Sequence, residues 1–179
     1  GAKHLDCTRL QAKQGIVLDT TGIDVIINRA PAANRFKVDI FGQEAHAGVC
    51  PEQGISAIEI AARAISAMEL GRIDAETTAN IGVIEGGLAS NIVTRQVTLK
   101  GEVRSHDEDK LRRQTEQIVK ALEEQVDKAT ITVGGEIRHA SMALELKEDF
   151  PLMQVPETSR IMQIALQAGE ALGRPQKIQ

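Results

Sequence analysis

Tryptophan and tyrosine are absent from this sequence, and phenylalanine occurs only three times. The core must therefore be built from Ile, Val, Leu and Ala, and a 42% hydrophobic fraction supplies enough of them for a folded chain. Without rings there is no platform for stacking bases. The formal net charge of −4 points the same way, because phosphate backbones are gripped by clustered Lys and Arg. No nucleic-acid partner is expected. Long apolar runs are also missing; none approaches the roughly 18 residues of a membrane span, so no membrane partner is expected. Cysteine is scarce. Cys7 and Cys50 lie too far apart for a metal-type pair and are too few for a disulfide framework, so two reduced thiols in a cytoplasmic setting are expected. A signal-peptide pattern and an initiator Met are missing as well, and the opening Gly1-Ala2-Lys3-His4 reads as part of something longer.

What is present is periodic. Residues 15–22 form a short apolar run closed by a turn, read as a buried strand ending at Asp19. A second β-branched run follows to Arg29. Residues 34–41 alternate, with Phe36, Val38 and Ile40 on one face and Lys37 and Asp39 on the other, the pattern of a half-buried strand. Residues 42–54 hold three glycines and Pro51 and read as a loop. A helix over 55–70 is expected to turn Ile55, Ile58, Ala62 and Ile65 inward, with Gly71 at its C-terminal cap. Residues 77–85 and 93–103 read as strands. Ser105 and Glu108 fit a capping box before a helix to about Lys128, with Leu111, Ile118, Leu122 and Val126 inward. Residues 130–146 are extended and broken at Gly134-Gly135. A last helix over about 158–172 ends at Gly173 and Pro175.

The middle of the chain thus reads strand–helix–strand–strand–helix–strand. The expected fold is α+β: a ferredoxin-like βαββαβ sandwich with a four-stranded antiparallel sheet and two helices on one face. Residues 31–146 form this domain. Residues 1–30 and 147–179 do not fit the unit and read as pieces of a larger neighbour.

Three stretches carry chemistry. Gly42-Gln-Glu-Ala-His46-Ala-Gly48-Val-Cys-Pro51-Glu-Gln-Gly54 leads into a helix. Gly86-Gly-Leu-Ala-Ser-Asn91-Ile-Val-Thr sits between two strands, and Gly101-Glu-Val-Arg104-Ser105 ends the second of them. Together, in this order, they resemble the lid-domain signature of the dinuclear zinc peptidases that include peptidase T, aminoacylase and glutamate carboxypeptidases. The flanks are similar too. The first six residues resemble the segment after that family's paired catalytic glutamates. Val17-Leu-Asp19 looks like a later metal-ligand carboxylate of the peptidase T branch, and residues 156–179 resemble the return into the catalytic domain.

The resemblance implies a zinc-dependent aminopeptidase acting on short peptides, of which this chain is the lid, or dimerisation, domain. It implies that Asp19 is a metal ligand, and the one such ligand kept here. A single carboxylate cannot hold two ions, so the segment alone is expected to bind zinc weakly and to be inactive. It further implies that His46 crosses to the partner subunit's active site and stabilises the oxyanion there, and that Asn91 and Arg104 bind substrate, the guanidinium gripping a peptide carboxylate. Taken without the resemblance, His46 is an exposed loop imidazole, Asn91 a turn residue and Arg104 a strand-end charge. His106 suits a helix start, His139 has no partner at metal spacing, and Cys50 beside His46 lacks a third group to complete a dyad.

A stand-alone ferredoxin-like regulatory domain, binding a small effector at a dimer interface, is the alternative. Either way the sheet has an exposed edge. Residues 77–85 carry no Lys or Pro guard, so this strand is expected to pair with its two-fold mate and make a homodimer. Asp placed at Ile81 or Val83 should therefore give monomer in sedimentation velocity; an unchanged dimer would remove the pairing.

Overall fold

The computed structural model describes residues 5–19 and 22–179. Residues 1–4 of the first flank and the Thr20-Thr21 turn, both used in the sequence reading, lie outside them. The chain divides into two compact units. One is Pro31–Leu152; the other joins Gly1–Ala30 to Met153–Gln179.

In the joined unit, β1 (Val25–Ile26) and β2 (Arg29–Ala30) come first. The expected buried strand ending at Asp19 is not formed. Residues 15–19 have no ladder partner among the described residues, and Val17 and Leu18 are 84% and 95% exposed. A strand needs a neighbour to bond its backbone and cover its side chains, and none is supplied here.

The larger unit opens with β3 (Ala32–Phe41), then the two-residue β4 (Ala45–His46), a single 3-10 turn at Pro51–Gln53, and α1 (Ala57–Ala67). It continues with β5 (Gly71–Arg72), β6 (Thr77–Gly86), β7 (Ile92–Val93) and β8 (Gln96–Ser105). It closes with α2 (Glu108–Lys128), β9 (Thr130–Val133), β10 (Glu136–His139) and β11 (Ser141–Phe150). The joined unit then resumes as β12 (Met153–Gln154), α3 (Arg160–Ala171) and β13 (Lys177–Ile178). There β13 pairs parallel with β1, and β12 antiparallel with β2.

The main sheet has the order β11-β3-β8-β6-β5, antiparallel throughout. Each helix therefore links two long strands that flank a third. The α+β class expected from the sequence is present, with five strands where four were read. The addition is β5. Gly71 does not cap α1; at φ +86° it turns the chain so that Gly71 and Arg72 pair with Ala79 and Thr78. At the other edge, Lys147 and Glu148 still pair with Arg35 and Asn34, so the last strand runs past the boundary read at 146.

Alternation builds the core. Phe36, Val38 and Ile40 of β3 and Val97, Leu99 and Val103 of β8 are buried beneath α1 and α2. Phe36 lies across from Gly101, where a Cβ would come within 2.4 Å of the ring, so the glycine leaves room for the core's one aromatic side chain. Leu111, Ile118, Leu122 and Val126 of α2 point inward as their spacing predicts. The stripe on α1 is rotated from the expected one. Ala57, Ile60, Ala61 and Ala64 are buried, while Ile58 and Ala62 face outward. Apolar residues cover a wide arc of this helix, with Glu59, Arg63 and Ser66 on the remainder, so periodicity alone did not centre the buried stripe. Small side chains on the buried face allow close approach to α2, whose Gln114 and Gln117 donate to the carbonyls of Glu69 and Ala67.

The start of α2 also differs from its sequence reading. Asp107, not Ser105, is the N-cap, accepting from the Lys110 N–H at 2.9 Å. Ser105 is fully buried. Its hydroxyl is 3.0 Å from that of Thr77 and accepts from the Asp107 N–H. Burial explains the change, because a sequestered hydroxyl must find a partner.

The β5–β6 turn is tied to α2 by charge. Asp74 accepts from the N–H groups of Glu76 and Thr77 at 2.7 and 2.8 Å, and Lys110 reaches both Asp74 and Glu76 at 3.2 Å. The Glu76 N–H first, then Lys110 and Thr77, hold the Asp74 carboxyl at about 2, below its ordinary 3.8. A carboxyl depressed in the fold stabilises it above the unfolded value, and that contribution is lost as pH falls from about 4 through about 2. Wild type should thus melt above Asp74→Asn at neutral pH. The two melting curves should converge on acidification through this window, as circular dichroism at stepped pH would show.

Candidate functional site

His46 sits on a platform stitched from two loops. Gly42 N–H donates to the Arg95 carbonyl at 2.7 Å, β4 pairs antiparallel with β7, Ala47 N–H donates to the Asn91 carbonyl at 2.9 Å, and Ala57 N–H donates to the Thr94 carbonyl at 2.9 Å. Two glycines make the close packing possible. A Cβ on Gly42 would lie 2.0 Å from the Ile55 carbonyl oxygen, and one on Gly54 would lie 2.8 Å from Val93 Cγ1 and 3.0 Å from Ala45 Cβ. The chain after His46 therefore folds tightly under the β4–β7 ladder.

The histidine is held at both ends. Its carbonyl accepts from Val49 and Cys50 N–H at 3.1 and 3.0 Å. Its ring nitrogen Nδ1 accepts from Gly48 N–H at 3.2 Å. A ring whose Nδ1 accepts carries its proton on Nε2 when neutral. The side chain is otherwise exposed, flanked by Ala45, Ala47 and Gly48. The Cys50 thiol makes no hydrogen bond to it among the described residues, so the neighbouring sulfur forms no dyad.

Asn91 lies in the turn before β7, exposed, with its backbone carbonyl bound to the His46 loop. The structure thus brings His46 and Asn91 together. Arg104 is elsewhere. It stands near the other end of β8, eight residues from Gln96, or roughly 26 Å along a strand. Its side chain is on the sheet face away from the helices, where Glu102 grips it with two hydrogen bonds of 2.8 and 3.0 Å. The sequence reading missed this pair. The signal was there: residues two apart on a strand share a side.

Asp19 is exposed. Among the described residues, no three His, Cys, Asp or Glu side chains converge as a metal cluster. Among them, too, no helix is long and apolar enough to cross a membrane.

Residues 32–130, more than half of the chain, match the family described as the peptidase dimerisation domain. The chain belongs to this family. As a peptidase dimerisation domain with flanks, it is similar over its whole length to the protein YqjE of Bacillus subtilis, described as uncharacterized, at 41% identity across 46% of that protein. Its fold is close to that of two crystal structures. Aminopeptidase PepT from Bacillus cereus shares 38% identity at a TM-score of 0.87, over 99% of this chain and 46% of that one. A tripeptidase from Staphylococcus aureus shares 31% identity at a TM-score of 0.89, over 99% of this chain and 45% of that one. The chain therefore spans a little under half the length of the proteins it matches.

Proposed function

We propose that this chain is the lid and dimerisation domain of a cytoplasmic, zinc-dependent aminopeptidase that hydrolyses short peptides, with residues 1–30 and 147–179 as pieces of its catalytic domain. On this reading the core of β3, α1, β6, β8, α2 and β11 is a ferredoxin-like sandwich. The observation that carries the proposal is the presentation of His46. Its Nδ1 is engaged by Gly48, so the neutral ring offers an Nε2–H donor from a rigid, small-residue loop. A fixed donor of this kind stabilises the oxyanion that develops when a peptide carbonyl is attacked. The family match and the printed names of the two crystal structures, an aminopeptidase and a tripeptidase, support the same class. A free-standing regulatory domain is not favoured by them.

The sheet supports delivery of His46 across a homodimer. β5 covers β6 only at Thr78 and Ala79, so among the described residues the rest of that edge is open. Ile84, 56% exposed, and the outward Ile58 and Ala62 of α1 provide apolar cover on the helix side of it. β6 runs from the Arg104 end of the sheet, where Thr78 pairs with Arg104, to the His46 end, where Gly86 pairs with Val97. Antiparallel pairing of β6 with its two-fold mate therefore sets the His46 end of one subunit beside the Arg104 end of the other. One active site would draw His46 and Asn91 from the partner and Arg104 from its own chain.

Asp19 is the single metal ligand proposed here. One exposed carboxylate does not make a dinuclear zinc site, so no step is assigned to metal held by this chain. The remaining ligands are proposed to lie in the half of the enzyme that this chain does not span.

Complementation in the full-length enzyme tests the arrangement. His46→Ala should lower kcat by about 10²–10³, the loss usual for an oxyanion donor. Arg104→Ala should weaken peptide binding. Mixed dimers of the two variants regain one intact site each, so exchanging them at equal amounts should restore about a quarter of wild-type activity. No restoration on mixing would place both residues in the same subunit's site and refute the crossing.

A further inference from the structure

We infer that Glu102 is a positioning residue for Arg104, holding one side of the guanidinium so that the other is presented to the C-terminal carboxylate of a bound peptide. The inference rests on the proposed reading of Arg104 as a substrate-binding residue.

The geometry is specific. Arg104 Nε donates to Glu102 Oε1 at 2.8 Å, and Nη2 donates to Oε2 at 3.0 Å. A guanidinium has five N–H donors in one plane, arranged as two forks: Nε with Nη2, and Nη2 with Nη1. Glu102 fills the first. The second has no partner among the described residues, and the Arg104 side chain is 41% exposed, so a carboxylate can reach it. Bidentate pairing of a carboxylate with a fork requires the plane to point the right way, which a free arginine does not guarantee.

Glu102 is itself held from behind. Arg35 lies directly across from it on β3, with Nε 3.8 Å from Glu102 Oε2 and 3.1 Å from Asp149 Oδ2. Asp149 is the one buried member of the row, with its side chain 4% exposed. Asp149, Arg35, Glu102 and Arg104 form one cluster of alternating charge, in which the sequestered Asp149 also acts directly on Glu102 and on the accessible Arg104. The hydrogen bond from Arg104, the largest influence, holds the Glu102 carboxyl below its ordinary value, so it stays charged across the neutral range.

Glu102 has two opposing effects on an incoming carboxylate. It repels the anion, and it orders the cation. Both side chains are at least a third exposed, so water and salt screen the repulsion. The ordering is not screened and should win.

The test is steady-state kinetics of the full-length enzyme with a tripeptide and with the same tripeptide amidated at its C-terminus. Glu102→Ala should raise KM for the free acid about tenfold with kcat within about twofold, roughly the loss of one charge-assisted interaction. Glu102→Gln keeps one acceptor and should give an intermediate KM. Neither variant should change KM for the amide. An unchanged or lowered KM for the free acid in Glu102→Ala, with or without a fall in melting temperature, would overturn the inference. Arg104→Ala separates the two levels of the proposal. If it leaves the preference for the free acid intact, the reading of Arg104 fails, and the role of Glu102 fails with it. If it abolishes that preference while the Glu102 variants match wild type, only the inference about Glu102 is lost.

Discussion

A single backbone hydrogen bond, from Gly48 N–H to Nδ1 of His46, fixes which ring nitrogen the His46 loop presents outward. With Nδ1 occupied as an acceptor, the neutral ring is left with one outward-facing group, the Nε2–H donor. The rest of the loop serves that contact. The turn is closed by the His46 carbonyl, the loop is strapped to Asn91 and Val93, and the chain beyond it is drawn under the ladder at Gly54. On the proposed reading, each constraint removes a freedom that would otherwise be lost on meeting a transition state, which is where preorganised donors gain their advantage.

The sheet then acts as a ruler. Its long strands place the imidazole loop and the Arg104 pair at opposite ends, too far apart for one chain to bring both to a small substrate as proposed. The proposed two-fold axis on the β6 edge would reconcile the separation, because antiparallel pairing reverses the ends. The same edge carries exposed apolar side chains, Ile84 on β6 and Ile58 on α1. The face away from the helices carries instead an alternating row of charges, with its acidic anchor buried at Asp149.

Much of this was legible before the structure. Strict alternation in residues 34–41 and the 3.6 period of α2 are signals that burial enforces, and those elements formed as read. The strand read over 93–103 begins only at Gln96, because Val93 is drawn into β7 against Ala45. The glycine-rich motif around His46 read as a loop, and its two-residue ladder with β7 is too short to leave a periodic trace. Other features were hidden for physical reasons. The apolar arc of α1 is wider than the stripe it buries, so the choice depended on which part of it met α2. Ser105 and Asp107 could each cap α2, and the choice was made by burial of the serine against Thr77, a contact 28 residues away in sequence. The apolar run before Asp19 has the composition of a strand, but a ladder needs a partner, and composition does not reveal one. The pairing of Glu102 with Arg104 was readable from their spacing; its link through Arg35 to Asp149 needed the register of three strands.

The most direct test of the account is the tautomer of His46 in the full-length protein, read from the nitrogen chemical shifts of its imidazole in long-range proton–nitrogen correlation spectra at alkaline pH. The account predicts a ring protonated at Nε2, with Nδ1 shifted as a hydrogen-bond acceptor, and a loss of that acceptor shift when Gly48 is replaced by proline. A ring protonated at Nδ1, or an even mixture of tautomers unaffected by the replacement, would contradict it.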